Sequence, residues 1–410
     1  MDLQIRPVAD DAEFRAFLEV DARAFATEVR VDDLPYTEGF LERDRTAAAF
    51  LDGQLVGSSA NLTMELTVPG GVVVPCAGVT YVGVSPTHRR RGLLTAMMGR
   101  LLDEAVDRDE PMAALFASES VIYGRFGFGA ATQSATYSLA KAHARFSHPA
   151  TTAGTIRLID REGAAAVLAP VQDRVRRRAA GATSRSKGWW DRHIYDAPGW
   201  RHGGGPLFHA VHDPAGSHDP DAYITWRVET SWEIHGSHVV RVWEVQALDP
   251  TVRLALQQFV CSLDLIAEIR FEDHPVDEPL RWTLADPRRL MTTSVIDALW
   301  VRLLDIPRCL EARAYQPADR LVIAVDDRFR PAVGGTFALD TGGGRVRCTR
   351  TEAAPELSLD VADLGALYLG GVSAAVLAAA GRLRGHADGA VERAAALFAT
   401  PTAPLTDTNF

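Results

Sequence analysis

The alternation of apolar and polar positions along the chain predicts a series of mixed α/β segments. Gln4–Arg6 reads as a strand and Asp11–Ala26 as a helix, followed by three strand-like runs at Ala47–Leu51, Gln54–Thr67 and Val72–Val84. Asp52-Gly53 and Pro69-Gly70-Gly71 separate these runs with the residue types that hairpin turns require. Leu94, Met97, Met98, Leu101 and Leu102 then recur at the spacing of one helical face, which predicts a helix from Arg90 to about Asp107. Met112–Ala117 is apolar without a break, the pattern of a strand buried on both faces. This first unit ends near Leu139.

From Lys141 to Thr155 the chain turns polar and poor in helix formers, as a linker does. The order of elements then repeats: a strand at Ile156–Ile159, a helix near Glu162–Ala180, strands at Leu207–Val211, Tyr223–Glu229 and Val239–Leu248, and a helix at Thr251–Leu263. Proline and acidic residues between Arg270 and Pro287 mark a second boundary. Beyond it lie short strands (Leu321–Asp326, Thr336–Asp340, Arg345–Cys348, Glu356–Asp360) and helices rich in Ala and Leu (Asp363–Leu369, Ala374–Ala380, Gly389–Phe398). The predicted fold class is α+β (mixed α/β), divided into 1–145, 146–288 and 289–410. The closing TPTAPLTDTNF is expected to be extended, and termini are unordered unless something ties them down.

Length agrees with three units, since 410 residues exceed what a single hydrophobic core organises. No run approaches the ~20 apolar residues that would span a bilayer, and the first residues lack a basic stretch followed by an apolar one, so a cytoplasmic protein is expected. A net charge of −10 disfavours nucleic-acid binding and mildly favours cationic small molecules. The four cysteines are far apart, and His209-x-x-His212 and His235-x-x-His238 have no further ligand at a recognisable spacing, so neither a disulfide framework nor a metal site is suggested. Arg174, Arg176, Arg177, Arg178, Arg185 and Lys187 read as a solvated or salt-bridged helix face, with an anion or subunit contact as the alternative. Trp189, Trp190 and Trp200 read as core or interface anchors.

The stretch richest in chemistry is Tyr81-Val82-Gly83-Val84-Ser85-Pro86-Thr87-His88-Arg89-Arg90-Arg91-Gly92-Leu93-Leu94-Thr95. A strand leads through a turn into a basic, glycine-containing loop that opens a helix. The free amides of a first helical turn and the positive end of the helix dipole form an anion site that suits a pyrophosphate. Gly92 would let the backbone approach the phosphates, and the arginines could pair with further phosphate charge. The alternative is an arginine cluster that decorates an exposed helix start.

Arg89-x-x-Gly92-x-Leu94 resembles the R/Q-x-x-G-x-G/A motif of the GNAT superfamily of acetyltransferases, with Leu94 departing from the usual small residue. The chain as a whole resembles the enhanced intracellular survival (Eis) family, through His88-Arg89-Arg90-Arg91-Gly92-Leu93-Leu94, Ala117-Ser118-Glu119, Ile122-Tyr123-Gly124-Arg125-Phe126-Gly127-Phe128-Gly129 and Leu364-Gly365-Ala366-Leu367-Tyr368-Leu369-Gly370. The resemblance implies two tandem GNAT-like domains followed by a sterol-carrier-protein-like domain. It further implies an N-acetyltransferase that moves the acetyl group of acetyl-CoA to primary amines of small cationic substrates such as aminoglycosides, or to protein lysines, and that assembles as a homohexamer. Residue by residue, it assigns Val82, Gly83 and Val84 to the pantetheine arm, Arg90, Arg91, Gly92, Leu93, Leu94 and Thr95 to the pyrophosphate, and Ser118 and Glu119 to the rest of the coenzyme site. Tyr123 becomes the general acid and the terminal carboxylate of Phe410 the proton acceptor.

A phenol with a reference pKa of ~10 gives up a proton to a thiolate near ~8.5 only if its pKa is lowered or the transfer is coupled to departure of the sulfur. Gly83 is expected to ease a bulge that parts neighbouring strands. Asn409 stands where the family pattern has an acidic residue, with Asp407 two positions earlier, and Glu28, Asp32 and Asp33 are other sources of negative charge. The second unit carries Asp249-Pro250-Thr251 in place of an arginine-glycine loop, so no coenzyme is expected there. A lipid-carrier or scaffolding protein with a vestigial first domain is the alternative from a different class.

Overall fold

The computed structural model of the chain describes residues 2–201, 203–230 and 237–410. The first part contains β1 (Leu3–Arg6), α1 (Asp11–Ala24), α2 (Leu34–Phe40), β2 (Ala48–Leu51), β3 (Gln54–Thr67), β4 (Val73–Val84), α3 (Leu93–Asp107), β5 (Met112–Phe116), α4 (Ser120–Tyr123) and β6 (Gly129–Ala130). Asp10 starts α1 by accepting a hydrogen bond from the Glu13 amide, and Ala26, at φ 55°, lies beyond its end, two residues earlier than the apolar pattern suggests. Helix α2 carries no strong sequence signal and is an addition to the expected elements.

Alternate residues of β3 explain how this layer packs. Ala60, Leu62 and Met64 join Phe14, Phe17 and Leu18 of α1 on one face. On the other, Asn61 Nδ2 donates to the Leu101 carbonyl of α3 at 2.9 Å. The two helices therefore sandwich the sheet.

Next come β7 (Gln133–Ala140), β8 (Gly154–Ile159), α5 (Ala164–Arg176), α6 (Lys187–Tyr195), β9 (Phe208–Pro214), β10 (Ala222–Glu229), β11 (His238–Ala247), α7 (Pro250–Ser262) and β12 (Ile266–His274). Helix α7 buries Val252, Leu256 and Val260 against one face of this second sheet, and α5 buries Leu168 and Val171 against Val211 and Tyr223 on the other. The single helix expected at Glu162–Ala180 is shorter, and α6 follows as a separate helix capped by Ser186, whose hydroxyl accepts from the Trp189 amide.

The remaining elements are β13 (Met291–Asp297), β14 (Leu299–Leu303), α8 (Ile306–Ala312), β15 (Arg320–Asp326), β16 (Gly335–Asp340), β17 (Arg347–Arg350), β18 (Leu357–Asp360), α9 (Val361–Tyr368), α10 (Ala374–Ala379), β19 (Leu383–Gly385) and α11 (Ala390–Phe398). The three sheets run β1-β2-β3-β4-β5-β14-β6, β13-β7-β12-β11-β10-β9-β8 and β17-β16-β15-β18-β19. Strands β13 and β14 were not anticipated, and they reach in opposite directions: β13 pairs with β7 in the second sheet, β14 with β5 and β6 in the first. The division at 1–145, 146–288 and 289–410 stays our proposed segmentation, with strands β7 and β14 crossing it in space.

The third part shares a core with the first: Leu66, Val68, Cys76 and Met112 pack with Leu321, Phe337, Leu359 and Leu364. Helix α9 approaches so closely that a Cβ at Gly129 would lie 1.7 Å from the Ala362 carbonyl oxygen and one at Gly365 2.3 Å from that of Val301. Gly129 and Gly365 are thus contact points between α9 and the first sheet. All four cysteines are free and buried.

The chain end is held rather than frayed. Leu405 N donates to Ala180 O at 3.0 Å, Thr406 Oγ1 to Gly181 O at 2.8 Å, and Ala403 N to Asp277 Oδ2 at 2.8 Å. Arg185, with a fully buried side chain, donates to Thr408 Oγ1 and to the Asp407 carbonyl at 2.9 Å each, while ion-pairing with Glu244 at 2.7 Å. Partners this numerous offset the ordering entropy that normally leaves a terminus loose.

Candidate active site

Strand β4 pairs in parallel with β5 only at Cys76, Ala77 and Gly78. Past these residues the strands part, so the β5-facing edge of Val79–Val84 has no strand partner among the described residues. The bulge that accompanies the parting lies opposite the β3 register shift between Ser58 and Ala60, with Tyr81 at φ 52°. The expected role of Gly83 is therefore corrected. Gly83 pairs with Ser58, and its missing side chain makes room: a Cβ there would come within 3.0 Å of Ala24 Cβ and Ser58 Oγ. It lets the end of α1 close over the strand.

The loop after β4 turns through Pro86–His88, and Arg90 (φ 62°) and Gly92 (φ 79°) both adopt left-handed backbone. Helix α3 thus starts at Leu93 rather than at Arg90. Gly92 is its N-cap and supplies no side-chain hydrogen bond, and a Cβ there would meet nothing within 4 Å. The first-turn amides are free, and the approach to them is open.

A cavity of about 530 Å³ gathers Val82, Gly83, Val84, Arg90, Gly92, Leu93, Leu94, Thr95, Ser118, Glu119 and Tyr123 along one wall system. Of the residues singled out from the sequence, Arg91 is exposed outside this lining and Phe410 belongs to a second cavity. Tyr123 is 5% exposed and meets Phe128 edge-on with ring centroids 6.3 Å apart. Burial raises its phenol pKa, with the Ser118 hydroxyl acting in the opposite direction and Glu119 adding to the rise. Of the two routes open to the phenol, lowering of its pKa is not the one this environment takes.

The second cavity, of about 380 Å³, is lined by Phe116, Trp189, Arg192, Trp200, Trp243 and Phe410 among others. The Phe410 ring stands edge-on to Phe116 at 5.2 Å, and Trp189 Nε1 donates to the Asn409 carbonyl at 2.8 Å. The two cavities flank the end of β5: Phe116 faces one, Ser118 and Glu119 the other. The β4 bulge links them as well, since Arg192 Nη1 donates to Tyr81 Oη at 3.3 Å on one side and Val82 lines the other. Sequence reasoning missed Arg192 and Trp243 and read Trp189 and Trp200 as core or interface anchors, because nothing local distinguishes a cavity tryptophan from a packed one. Trp190 is the one that is buried in a core.

Beside this bulge, Asp21 of α1 is raised to about 6 by burial, with Arg192 opposing the rise. Glu28 lies 3.7 Å from Arg30, and neither it nor Asp32 and Asp33 line either cavity. The arginine run is mostly salt-bridged: Arg174 to Asp219, Arg176 to Glu65, Arg177 to Asp173 and Lys187 to Asp191. His209 Nδ1 pairs with Thr225 Oγ1 at 3.0 Å and His212 Nδ1 with Asp221 at 2.7 Å; His235 lies outside the described residues.

In the second unit, β11 and β12 also pair in parallel and part beyond Val242 and Phe271. There the helix start is closed, because the Asp249 side chain accepts from the Thr251 amide at 2.6 Å.

Parted parallel strands beside a glycine-opened, uncapped helix define an acetyltransferase of the GNAT class. Acetyltransferase (GNAT) domain models match residues 4–131 and 181–303, and a sterol carrier protein domain model matches 306–406. An uncharacterized N-acetyltransferase of Streptomyces avermitilis is 38% identical over 368 residues, 88% of either chain, and N-acetyltransferase Eis of Mycobacterium tuberculosis 37% over 354 residues, 85% of this chain and 84% of that one. The crystal structure of Eis1 from Mycobacterium abscessus superposes with a TM-score of 0.88 at 34% identity, covering 100% of both chains. The chain belongs to the Eis family of N-acetyltransferases. Enzymes of the GNAT class draw their acetyl group from acetyl-CoA. No helix among the described residues is long and apolar enough to cross a membrane.

Proposed function

We propose that the protein transfers the acetyl group of acetyl-CoA to a primary amine of a small cationic acceptor, the class that includes aminoglycosides. The observation that carries this reading is the cavity in which the uncapped start of α3, the free edge of β4 and the buried Tyr123 hydroxyl meet. Acetyl-CoA supplies the activated thioester. The amides of Gly92–Thr95 and the Arg90 guanidinium hold its pyrophosphate, with Arg91 adding positive charge outside the lining, and Val82–Val84 offer backbone groups to the pantetheine amides as an added strand would. Ser118 and Glu119 complete the wall next to the reacting end.

Tyr123 Oη gives its proton to the departing sulfur. Its raised pKa keeps the phenol protonated at neutral pH, so the proton moves only as negative charge builds on sulfur. The Phe410 carboxylate, on the far side of the β5 end, receives the proton that becomes acidic as the amine nitrogen attacks. The pinned tail supports this role, because a proton acceptor must hold its place. We further propose the homohexamer that the family resemblance implies, which sedimentation or light scattering would measure directly. Incubation with acetyl-CoA and a panel of amines should release free thiol in proportion to acetylated product; no release above background with any amine would sink the reading.

A further inference from the structure

The second cavity carries a charge pattern that narrows the acceptor. Two of its acidic side chains are ion-paired, Asp196 with Arg201 and Arg227 at 3.0 and 3.1 Å and Asp407, which also accepts from Gln246, with Arg185; the third, Asp273, accepts only the Ser134 hydroxyl at 3.2 Å. Three of its rings are covered by arginine on one face. Arg192 lies over Phe40 and Trp200, at 4.9 and 4.7 Å from their ring centroids, and Arg185 lies over Trp189 at 4.1 Å. Among the described residues a polycation entering here would find only Asp273 and the Phe410 carboxylate free of a basic partner, too few to replace the hydration of several ammonium groups.

Arg192 itself has no carboxylate within 4 Å among the described residues, and Asp21 is the acid whose titration it moves. Its hydrogen bond to Tyr81 Oη leaves guanidinium donors for a ligand. The tryptophan and phenylalanine walls, in a cavity of about 380 Å³, fit a flat apolar body at the small end of ligand size.

Resting on the acetyl-transfer reading above, we infer that the acceptor is a monoamine with an aromatic body and an oxygen acceptor near the amine, its ammonium toward the chain end at Phe410 and its oxygen on Arg192. A carbonyl and a carboxylate share that chemistry, and the probes separate them: tryptamine has neither, tryptophanamide has the carbonyl, tryptophan has the carboxylate.

The test compares kcat/KM for these three and for an aminoglycoside, by thiol release. Tryptophanamide or tryptophan should exceed tryptamine by about tenfold, the scale of one charge-assisted hydrogen bond, and all three should exceed the aminoglycoside. Arg192→Met should bring the ratio of the oxygen-bearing amine to tryptamine down about tenfold, toward one, with Arg192→Lys in between. Because the ratio is read within one variant, a general loss of folded enzyme cancels. An aminoglycoside that outperforms every aryl amine overturns the inference and leaves acetyl transfer standing, as does a ratio that Arg192→Met does not move. No turnover with any amine overturns acetyl transfer itself.

Discussion

Helices α3 and α7 occupy corresponding places in the two GNAT units, each following a strand that parts from its parallel neighbour. Helix α3 starts at Gly92 with free amides and open space in front of them, whereas α7 starts at Asp249, whose own carboxylate takes the Thr251 amide and has its pKa lowered as a result. A phosphate at the first start has donors to bind; at the second it would meet a negative charge already in place. A similar contrast separates two acids. Asp21 in the first unit has an oxygen with no partner, while Glu278 in the second, despite its burial, is held down to about 2 by Arg253 and by its hydrogen bond with His274. The teaching is that one architecture becomes a binding unit or a scaffold according to whether its polar ends are left open or filled internally.

The largest effect is expected at Tyr123, where the open unit acts chemically. Tyr123→Phe should lower kcat by ~10²-fold or more while coenzyme affinity, measured calorimetrically, stays within about twofold. An unaltered kcat would remove the phenol from the reaction. Making the open start resemble the closed one comes next: Gly92→Asp should raise the coenzyme Kd by about tenfold or more, through a negative charge at the phosphate site and a strained left-handed backbone. Opening the closed one should do less. Asp249→Gly should leave titration calorimetry at one coenzyme per chain with a slightly lower Tm, because the second loop has no arginines; a second binding event would show that the cap alone separates the units.

The smallest effect is on pH. Asp21 has its folded pKa, about 6, above its unfolded value near 3.8, so its contribution to stability is present at low pH and is lost as pH rises from about 4 to about 6. Glu278, lowered to about 2, contributes above about 4.5 and loses that contribution as pH falls. Thermal melts across pH 4–7 should therefore show a shallower decline between pH 4 and 6 in Asp21→Asn than in the parent chain.

Much of the architecture was legible because it rests on local periodicity. The apolar stripe of α3, the uninterrupted Met112–Phe116 strand and the turn residues around Gly53 and Gly70 each specify an element without distant help. The phosphate loop was legible too, since left-handed glycine and a helix start are neighbours in sequence. Strands β13 and β14 were not, because residues 291–303 carry no single pattern and take their shape from edges supplied by two other sheets. Trp200 and Trp243 are cavity residues only by virtue of what stands opposite them.

By itself the sequence determined that the chain holds two α/β units and a third α+β unit, that the first carries the basic loop opening at Gly92 between its strand and helix, and that Asp249 stands at the corresponding place in the second. Those features depend on residues a few positions apart. Tertiary structure decided the rest: that the chain end runs back under Arg185 to reach the end of β5, that Phe410 and Tyr123 face cavities on either side of that strand, and that Arg192 remains without a close acid. Each of these is a meeting of residues far apart in the chain, and such meetings are set by packing and by which charges are already paired, which no local pattern encodes.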